Sequence, residues 1–352
     1  MRRFRKSTIK EVAKEAGVST TTVSLFVSGR ESVCSPETAE RIRKAISTLH
    51  YTPSSLVSSM QRRATTTLGV CMESPLDPHV AYGRTYFERL WRGVVAEADA
   101  ENYSLLHYPA SVRKSDRIEA FLDGRIDGLL YHAADANGVD TRPHRLVSAG
   151  MPAVLVMRSL DLPDGAGAVY TNETATVELA LNHLWGLGHR RIAHVAGPVG
   201  PGGDIAQNRL QAYQRWMQTR GAYDGTLEGY AGGWRCEDSI AGEIVRTLKT
   251  LADPPTAVFC ANDTLALSVC RAARALDWKV PENLSVVGVD NTPEAVMAEL
   301  TSVEPPDELV GRMSVRALIQ LLQGAPVADC RLTVPVTNVF PRKSTGRLNR
   351  AS

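Results

Sequence analysis

Two polar side chains follow short apolar runs that have the composition of buried strands. Asn262 comes two residues after the run Ala257–Cys260, and Asp290 comes directly after residues 286–289. Ligands of open parallel sheets bind beyond the carboxyl ends of the strands, so both residues are candidates for one binding cleft. An amide and a carboxylate in an apolar cleft would orient a ligand through its hydroxyl groups.

Arg209 and Trp234 extend this candidate set. Arg209 follows the glycine-rich segment 197–203, and Trp234 lies in a second glycine-rich loop. A guanidinium can fix hydroxyl groups of a polyol, and an indole face can cover a sugar ring. Structural alternatives exist, because Asn262 could cap the next helix, Asp290 could bind the amides of its own turn, and Trp234 could belong to the core. Arg209 is harder to explain structurally, since a helix N-terminus favours anions over cations.

The elements that would position these residues alternate between strands and helices. Such alternation is typical of parallel sheets that helices cover on both faces. The predicted strands are residues 68–72, 128–131, 153–156, 168–170, 192–196, 257–260 and 286–289, and the predicted helices include residues 86–101, 174–187, 207–219, 238–251 and 264–276.

A different pattern occupies the first 27 residues. Thr8 and Glu11 form a capping box, Gly17 ends the first helix, and Ser19 caps a second helix. The small Ala13 lets the two helices cross closely. This spacing predicts a helix-turn-helix, whose second helix would lie in a DNA major groove. Two core helices joined by a glycine are the alternative, and the polar outer face of the second helix argues against them: Thr20, Thr21, Thr22 and Ser24.

A third helix and a short fourth segment follow. Ser35 and the proline after it place an N-cap, and the residues from Ser54 onward begin a segment, 55–62, that is too short to form a stable helix alone. Leu56, Val57 and Met60 give this segment an apolar edge. The pattern suits a helix that folds only on DNA and inserts an apolar wedge into the minor groove. A flexible linker is the alternative.

The two parts of the chain differ in net charge. Residues 1–65 carry 12 Lys or Arg against five Glu, although the formal net charge of the whole chain is only +2. A basic module on an acidic body is what a phosphate backbone attracts.

Several other functions are excluded by the motifs that the sequence lacks. The glycine-rich segment 197–203 has neither the Lys-Ser/Thr of a P-loop nor G-x-G-x-x-G, and His183, His189 and His194 lack zinc-ligand spacing. No serine-hydrolase elbow, apolar signal core or membrane-spanning run occurs. We therefore predict a cytoplasmic protein that is not an enzyme, without a cofactor or a metal site.

Residues 7–63 resemble the headpiece and hinge of the lactose/galactose repressor (LacI/GalR) family. The resemblance rests on Thr8-Ile-Lys-Glu-Val-Ala-Lys-Glu-Ala-Gly-Val-Ser19, Thr22-Val-Ser24 and Tyr51-Thr-Pro-Ser54, and it continues more loosely to about residue 345. It implies a homodimeric transcription regulator that binds a near-palindromic operator in double-stranded DNA and a small-molecule effector such as a carbohydrate.

The resemblance also implies roles for single residues. The residues that it implies for effector binding are Ser74, Arg209, Trp234, Asn262 and Asp290. The DNA-contacting set is Thr8, Ser19, Thr20, Thr21, Thr22, Ser24, Leu25, Ser35, Thr38, Tyr51, Ser54, Val57 and Met60.

Three positions depart from the family pattern. Leu25 stands where arginine, a guanine reader, is common, and Met60 replaces the leucine wedge. Met157 stands where an aspartate that touches ligand is common. The operator sequence therefore cannot be transferred from other members, and an ordinary hexose becomes a weaker expectation.

The implied fold is an all-α helix-turn-helix headpiece joined to an α/β body of two doubly wound parallel-sheet lobes, like a periplasmic binding protein. The predicted domains are a headpiece (1–53), a hinge (54–66), an effector-binding and dimerisation body (67–345) and a polar tail (346–352). Within the body, the first lobe would span about 67–167 and 303–330, and the second about 168–302 and 331–345. Alternatives are a solute-binding protein of a transport system, a regulator without a small-molecule effector, and activation instead of repression.

Overall fold

The computed structural model describes residues 7–27, 34–51, 65–76, 84–132, 140–200 and 204–348. The chain divides into a first unit, Met1–Thr66, and a second unit, Thr67–Ser352. The predicted hinge residues Ser54, Val57 and Met60 lie outside the described residues.

The described part of the first unit is a three-helix cluster. Its helices are α1 (Ile9–Ala16), α2 (Thr20–Val27) and α3 (Pro36–Thr48). Each apolar stripe points inward, because these short helices gain most of their stability from packing. The buried core of the cluster consists of Val12, Ala13, Ala16, Val23, Phe26, Ala39, Ile42 and Ala45.

The second unit contains two six-stranded sheets, as predicted. In the first sheet every strand is parallel to its neighbours, in the order β11-β5-β4-β3-β1-β2. The second sheet has the order β12-β10-β9-β8-β6-β7, and β12 alone is antiparallel to its neighbour among these strands. The strands are β1 (Thr67–Cys71), β2 (Ser104–His107), β3 (Gly128–Tyr131), β4 (Ala153–Val156), β5 (Gly167–Thr171), β6 (Ile192–Ala196), β7 (Glu228–Tyr230), β8 (Ala257–Cys260), β9 (Ser285–Val289), β10 (Thr301–Glu304), β11 (Arg331–Val334) and β12 (Asn338–Phe340).

Helices cover both sheets. The first lobe is the first sheet with α4, α5, α6 and α12, and the second lobe is the second sheet with α7 to α11. These helices are α4 (Arg84–Ala100), α5 (Ala110–Arg113), α6 (Arg142–Ser148), α7 (Glu173–Gly186), α8 (Asp204–Gln218), α9 (Asp238–Lys249), α10 (Asp263–Ala275), α11 (Pro293–Met297) and α12 (Asp307–Leu322). Among the described helices, none combines the length and the apolar character that a bilayer span requires.

The predicted lobe boundaries are wrong at three strands. Residues 168–170 and 331–334 were assigned to the second lobe, but β5 pairs with β4 and β11 pairs with β5 in the first sheet. The strand β10 lies in the second sheet, so the return to the first lobe begins after Glu304. Apolar periodicity identifies a strand but not the sheet that it joins, because parallel strands of both sheets are buried on two faces.

Two glycines allow α4 and α12 to cross in direct backbone contact. A Cβ atom at Gly93 would lie 1.9 Å from the carbonyl oxygen of Glu308, and one at Gly311 would lie 2.2 Å from that of Leu90. We therefore expect Gly93→Ala to destabilise the second unit by about 1–3 kcal/mol, because the helices must separate. The measurement is urea unfolding followed by tryptophan fluorescence, since all five tryptophans lie beyond residue 66.

Gly242 supplies the matched control for this substitution. It also lies inside a helix, α9, but a Cβ atom there would meet nothing within 4 Å. Gly242→Ala should be neutral or stabilising by up to about 1 kcal/mol, because alanine favours helix more than glycine does. Equal effects of the two substitutions would contradict the backbone contact.

A buried histidine makes the second lobe sensitive to acid. His194 on β6 is fully buried, its Nδ1 donates to the carbonyl oxygen of Phe259 at 2.9 Å, and its Nε2 has no hydrogen-bond partner among the described residues. Burial lowers the pKa of His194 to about 4. The folded state therefore binds fewer protons than the unfolded state between pH 4 and pH 6.5. As a result, the contribution of His194 to the free energy of unfolding is most favourable above pH 6.5 and falls as the pH falls below that value.

We expect wild type to lose about 2 kcal/mol more unfolding free energy than His194→Phe between pH 7 and pH 5. Phenylalanine cannot take up a proton and can keep the ring stacking on Tyr213 and Phe259, whose ring centroids lie 5.0 and 4.9 Å from that of His194. Chemical unfolding of both proteins at the two pH values tests this. If the unfolding free energies of both proteins fell by the same amount, His194 would not take up a proton on unfolding and the prediction would be wrong.

Candidate functional site

The first candidate site is the exposed face of α2, which the sequence sets up through two caps. Thr8 N donates to Glu11 Oε2 at 2.7 Å, and Glu11 N donates to Thr8 Oγ1 at 3.4 Å, which confirms the capping box at α1. Gly17 has a φ of 64°, and this left-handed conformation turns the chain toward α2. Ser19 accepts from the amide of Thr22 at 3.0 Å and so begins α2.

The side chains of α2 divide between this face and the core. Val23 and Phe26 are buried, whereas Thr20 and Thr21 are exposed. The other predicted DNA contacts of the helix are half-buried: Thr22, Ser24 and Leu25. Thr20 and Thr21 are thus the predicted residues of α2 that are most open to a groove.

Other predicted DNA contacts surround α3. Ser35 accepts from the amide of Thr38 at 3.3 Å and caps α3, and Arg41 Nη2 donates to Thr38 Oγ1 at 3.3 Å. Tyr51 is half-buried and packs against the helical core. Contact of these residues with phosphate remains a prediction. Exposed cations of the described first unit that would favour a polyanion are Lys10, Lys14, Arg41, Arg43 and Lys44.

The second candidate site lies between the lobes, and its centre is a buried ion pair. Arg209 on α8 is 3% exposed, and its Nε donates to Glu173 Oε2 at 2.6 Å. Its Nη1 donates to the carbonyl oxygen of Ala261, just after β8, at 2.5 Å. The second oxygen of Glu173 accepts from the hydroxyl of Thr171. This partnership explains how a cation can stay near the start of a helix, because Glu173 offsets the charge.

Asn262 and Trp234 are linked to each other beside this ion pair. Asn262 Oδ1 accepts from the amide of Leu265 at 2.8 Å, so Asn262 caps α10, and its Nδ2 donates to the carbonyl oxygen of Trp234 at 3.0 Å. The ring of Trp234 faces Gly197, where a Cβ atom would lie only 3.0 Å away, and its centroid lies 6.0 Å from the Arg209 guanidinium carbon. The structure thus supports the capping role for Asn262, and its role toward a ligand remains a prediction.

Asp290 lies in a left-handed turn after β9, with a φ of 109°. Its carboxylate has no hydrogen bond to a backbone amide among the described residues, whereas Asp263 accepts from the amide of Thr292 at 2.8 Å. Burial raises the pKa of Asp290 to about 7, and the positive charges of Arg209 and Arg89 oppose that rise. Asp290 is thus coupled electrostatically to Arg209 of the buried ion pair.

Ser74 does not join this group in the described structure. Its Oγ accepts from the amide of Leu76 at 3.2 Å, within its own turn after β1. Met157, another position singled out in the sequence, is 6% exposed and packs in the core of the first lobe. An effector contact of Ser74 remains a prediction.

Four residues of the cleft were not predicted from the sequence: Tyr86, Arg89, His132 and Asp307. His132 directly follows β3, so the rule that located Asn262 and Asp290 at strand ends would also have located it. Asp307, Tyr86 and Arg89 carry no such signal, because they lie on α12 and α4.

Direct contacts join the two lobes across the cleft. Arg89 on α4 donates to the carbonyl oxygens of Asp290 at 2.7 Å and Asn291 at 3.0 Å, and it forms an ion pair with Glu304 at 3.0 Å. On another part of the cleft, Asn208 Nδ2 donates to the hydroxyl of Ser159 at 2.8 Å. A ligand that moves one lobe relative to the other must alter such contacts.

Comparison with known proteins gives two matches along the chain. Residues 8–54 match a family model described as bacterial regulatory proteins, lacI family, and residues 181–345 match a periplasmic binding protein-like domain. The HTH-type transcriptional regulator CelR of Thermobifida fusca is 31% identical over 98% of this chain and 100% of its own length.

Solved structures agree with these matches. A complex of the transcriptional regulator CelR with cellobiose has a TM-score of 0.68 and 28% identity, over 96% of this chain and 100% of that one. A lac repressor dimer bound to operator and the anti-inducer ONPF has a TM-score of 0.76 and 25% identity, over 97% of this chain and 100% of that one.

Proposed function

Since this chain belongs to the lacI family of bacterial regulatory proteins, we propose that it is a repressor whose affinity for a near-palindromic operator is set by a sugar or related metabolite held between its lobes. It is a DNA-binding transcriptional regulator and not an enzyme. One observation carries the proposal. A helix-turn-helix unit is joined in one chain to a two-lobed unit whose facing elements gather Arg209, Asp290 and Trp234 in one cleft.

Residues 1–53 bind DNA, residues 54–66 form the hinge, and residues 67–345 bind the effector and form a homodimer. A two-fold dimer presents two copies of α2 to two half-sites, so the operator repeats with the same symmetry. Thr20 and Thr21 lie in the major groove because they are the most exposed of the predicted contacts on α2. The protein acts in the cytoplasm, where it meets chromosomal DNA.

The effector acts by favouring one arrangement of the lobes. It can shift their equilibrium only by its difference in affinity for the two arrangements. The contacts of Arg89 with the 290–291 loop and of Asn208 with Ser159 join the lobes, so they are the contacts that the shift remakes. A change in lobe orientation then alters the spacing of the two hinges of the dimer, and through them the fit of α2 to each half-site.

Two observations favour a sugar over other metabolites as the effector: the side chains of the cleft and the ligand of a related regulator. The cleft combines an indole face with polar groups that can exchange hydrogen bonds with hydroxyls. The related regulator CelR forms a complex with cellobiose. A solute-binding protein for transport is a poorer account, because it leaves residues 8–54 without a role.

Capture of genomic fragments by the purified protein, followed by sequencing, tests this function. We expect one near-palindromic motif to be enriched, with an affinity that falls steeply as salt is raised. The double variant Thr20→Ala/Thr21→Ala should lose at least about ten-fold in affinity for the motif, because side chains that contact bases carry about 1–3 kcal/mol each.

Thr247→Ala is the matched control, because Thr247 is also exposed on a helix but lies in the second unit. It should bind the motif as wild type does. The proposal is wrong if wild type captures no motif in the presence or absence of neutral sugars. The placement of α2 is wrong if the double variant enriches the motif unchanged.

A further inference from the structure

A buried carboxyl group at the start of α12 has no hydrogen-bond partner in the part of the chain that the structure describes. Asp307 is 1% exposed, and neither of its oxygens has a hydrogen-bond partner among the described residues. An unpaired buried acid is costly, and native structures rarely keep one without a purpose. Burial raises the pKa of Asp307 well above its usual range, and the nearby charge of Asp290 adds to this rise. The group is therefore positioned for a partner that arrives from outside the chain.

A second buried polar atom without a described partner belongs to His132, directly after β3. Nδ1 of His132 is buried and has no partner among the described residues, whereas its Nε2 lies 2.8 Å from the hydroxyl of Tyr86. Burial raises the pKa of Tyr86 well above its usual range, and the charges of Asp307, Glu173 and Asp290 add to this rise. Tyr86 thus connects His132, which its hydroxyl contacts, with Asp307, whose charge acts on that hydroxyl.

Both groups can exchange hydrogen bonds with hydroxyl groups. Burial lowers the pKa of His132 to about 4, so the ring is neutral and carries one donor and one acceptor nitrogen. Its Nε2 already bonds with the Tyr86 hydroxyl, which leaves Nδ1 for a ligand. The cleft thus offers Nδ1 of His132 and the carboxyl group of Asp307 to the hydroxyl groups of a ligand, each of which can donate or accept.

Both arginines described above in the cleft, Arg209 and Arg89, already have partners. Arg209 is held by Glu173 and by the carbonyl oxygen of Ala261, and Arg89 is held by Glu304 and by two loop carbonyls. Asp307 and Asp290 add acidic groups without adding a cation. Burying an anionic ligand would be costly here, because neither Arg209 nor Arg89 is unpaired and able to offset its charge.

We infer that the effector is a neutral sugar or polyol, that its hydroxyl groups form hydrogen bonds with Asp307 and with Nδ1 of His132, and that sugar acids and sugar phosphates are rejected. This inference rests on the proposed function and narrows its ligand class. An ammonium group would require an ionised Asp307, which burial disfavours. Asp307 and His132 are therefore the residues that determine specificity.

The first test is thermal unfolding of the full chain with a panel of neutral mono- and disaccharides that includes cellobiose, each measured beside its uronic acid, phosphate and amino derivatives. At a hundred-fold excess over its Kd, a neutral sugar should raise Tm by about 5 °C, and its acid and phosphate should not. The inference is overturned if a charged derivative binds more tightly than its neutral parent, or if no neutral sugar of the panel binds.

Variants at Asp307 separate specificity from structure. Asp307→Leu should abolish the sugar-induced shift while raising Tm of the ligand-free protein, because an unpaired buried acid is removed. Asp307→Asn, which resembles a protonated carboxyl, should keep sugar binding to within about ten-fold. A loss of binding in Asp307→Asn as complete as in Asp307→Leu would point to an ammonium ligand and overturn the neutral assignment.

His132→Leu should weaken sugar binding at least about ten-fold. Asp238→Asn, whose carboxylate is exposed on α9, is the control and should bind sugar as wild type does. Unchanged binding in both Asp307→Leu and His132→Leu would overturn the inference. Capture of a DNA motif without any neutral-sugar binding would defeat this inference alone, whereas failure to capture a motif would defeat the proposed function whichever sugar binds.

Discussion

Arg209→Met is expected to lower the free energy of unfolding of the second unit by about 3–5 kcal/mol, because it leaves the buried carboxylate of Glu173 without its counter-ion. The substitution also removes the hydrogen bond to the carbonyl oxygen of Ala261. Urea unfolding followed by tryptophan fluorescence measures the change, since no tryptophan lies in the first unit.

The double variant Arg209→Met/Glu173→Leu distinguishes two causes of the destabilisation: the loss of the attraction between the two charges, and the charge of Glu173 that is left unpaired. It should recover most of the stability, because replacing both members of a buried ion pair by apolar groups is close to neutral. Arg271→Met is the exposed control, since the side chains of Arg271 and Asp238 are 58% and 78% exposed, and it should change stability by less than about 1 kcal/mol. A similar loss in the exposed and buried variants would contradict the buried pair.

Ile42→Ala is expected to cost the first unit about 2–5 kcal/mol, because Ile42 is fully buried where α3 packs on α1 and α2. A unit of this size has only about 3–10 kcal/mol of stability to lose. Hydrogen exchange of peptides from residues 7–51 should show protection reduced by about 30-fold or more, and operator affinity should fall with it.

Ile46→Ala is the matched control on the same helix. Ile46 is half-buried at the edge of the same cluster, so its truncation removes less buried surface. Its effect on exchange should be clearly smaller than that of Ile42→Ala, and peptides beyond residue 66 should be unchanged in both variants. Equal effects would contradict the assignment of Ile42 to the centre of the core.

Much of the fold could be predicted from the sequence because its signals are local. The strands 128–131, 153–156, 192–196 and 257–260 were predicted with the bounds that the structure has, since each is a short apolar run between turns. The capping residues Thr8, Ser19 and Ser35 likewise fixed the starts of three helices.

The predictions that were wrong or missing concern features that depend on contacts between distant parts of the chain. Whether residues 167–171 join the first or the second sheet depends on pairing with β4, which the residues of the strand do not encode. Asp307 could not be identified as a cleft residue because its burial depends on elements contributed by both lobes. Of the predicted effector residues, Arg209, Trp234, Asn262 and Asp290 come together, whereas Ser74 bonds within its own turn.

The central claim is that a small molecule in the cleft controls DNA affinity, and titration of the captured operator motif with and without the sugar that gives the largest thermal shift tests it most directly. We predict that the sugar changes the operator Kd of wild type by at least about five-fold, the low end of allosteric coupling. Asp307→Leu should bind the operator as tightly as sugar-free wild type and should not respond to the sugar. An operator Kd that saturating sugar leaves unchanged in wild type would contradict the account.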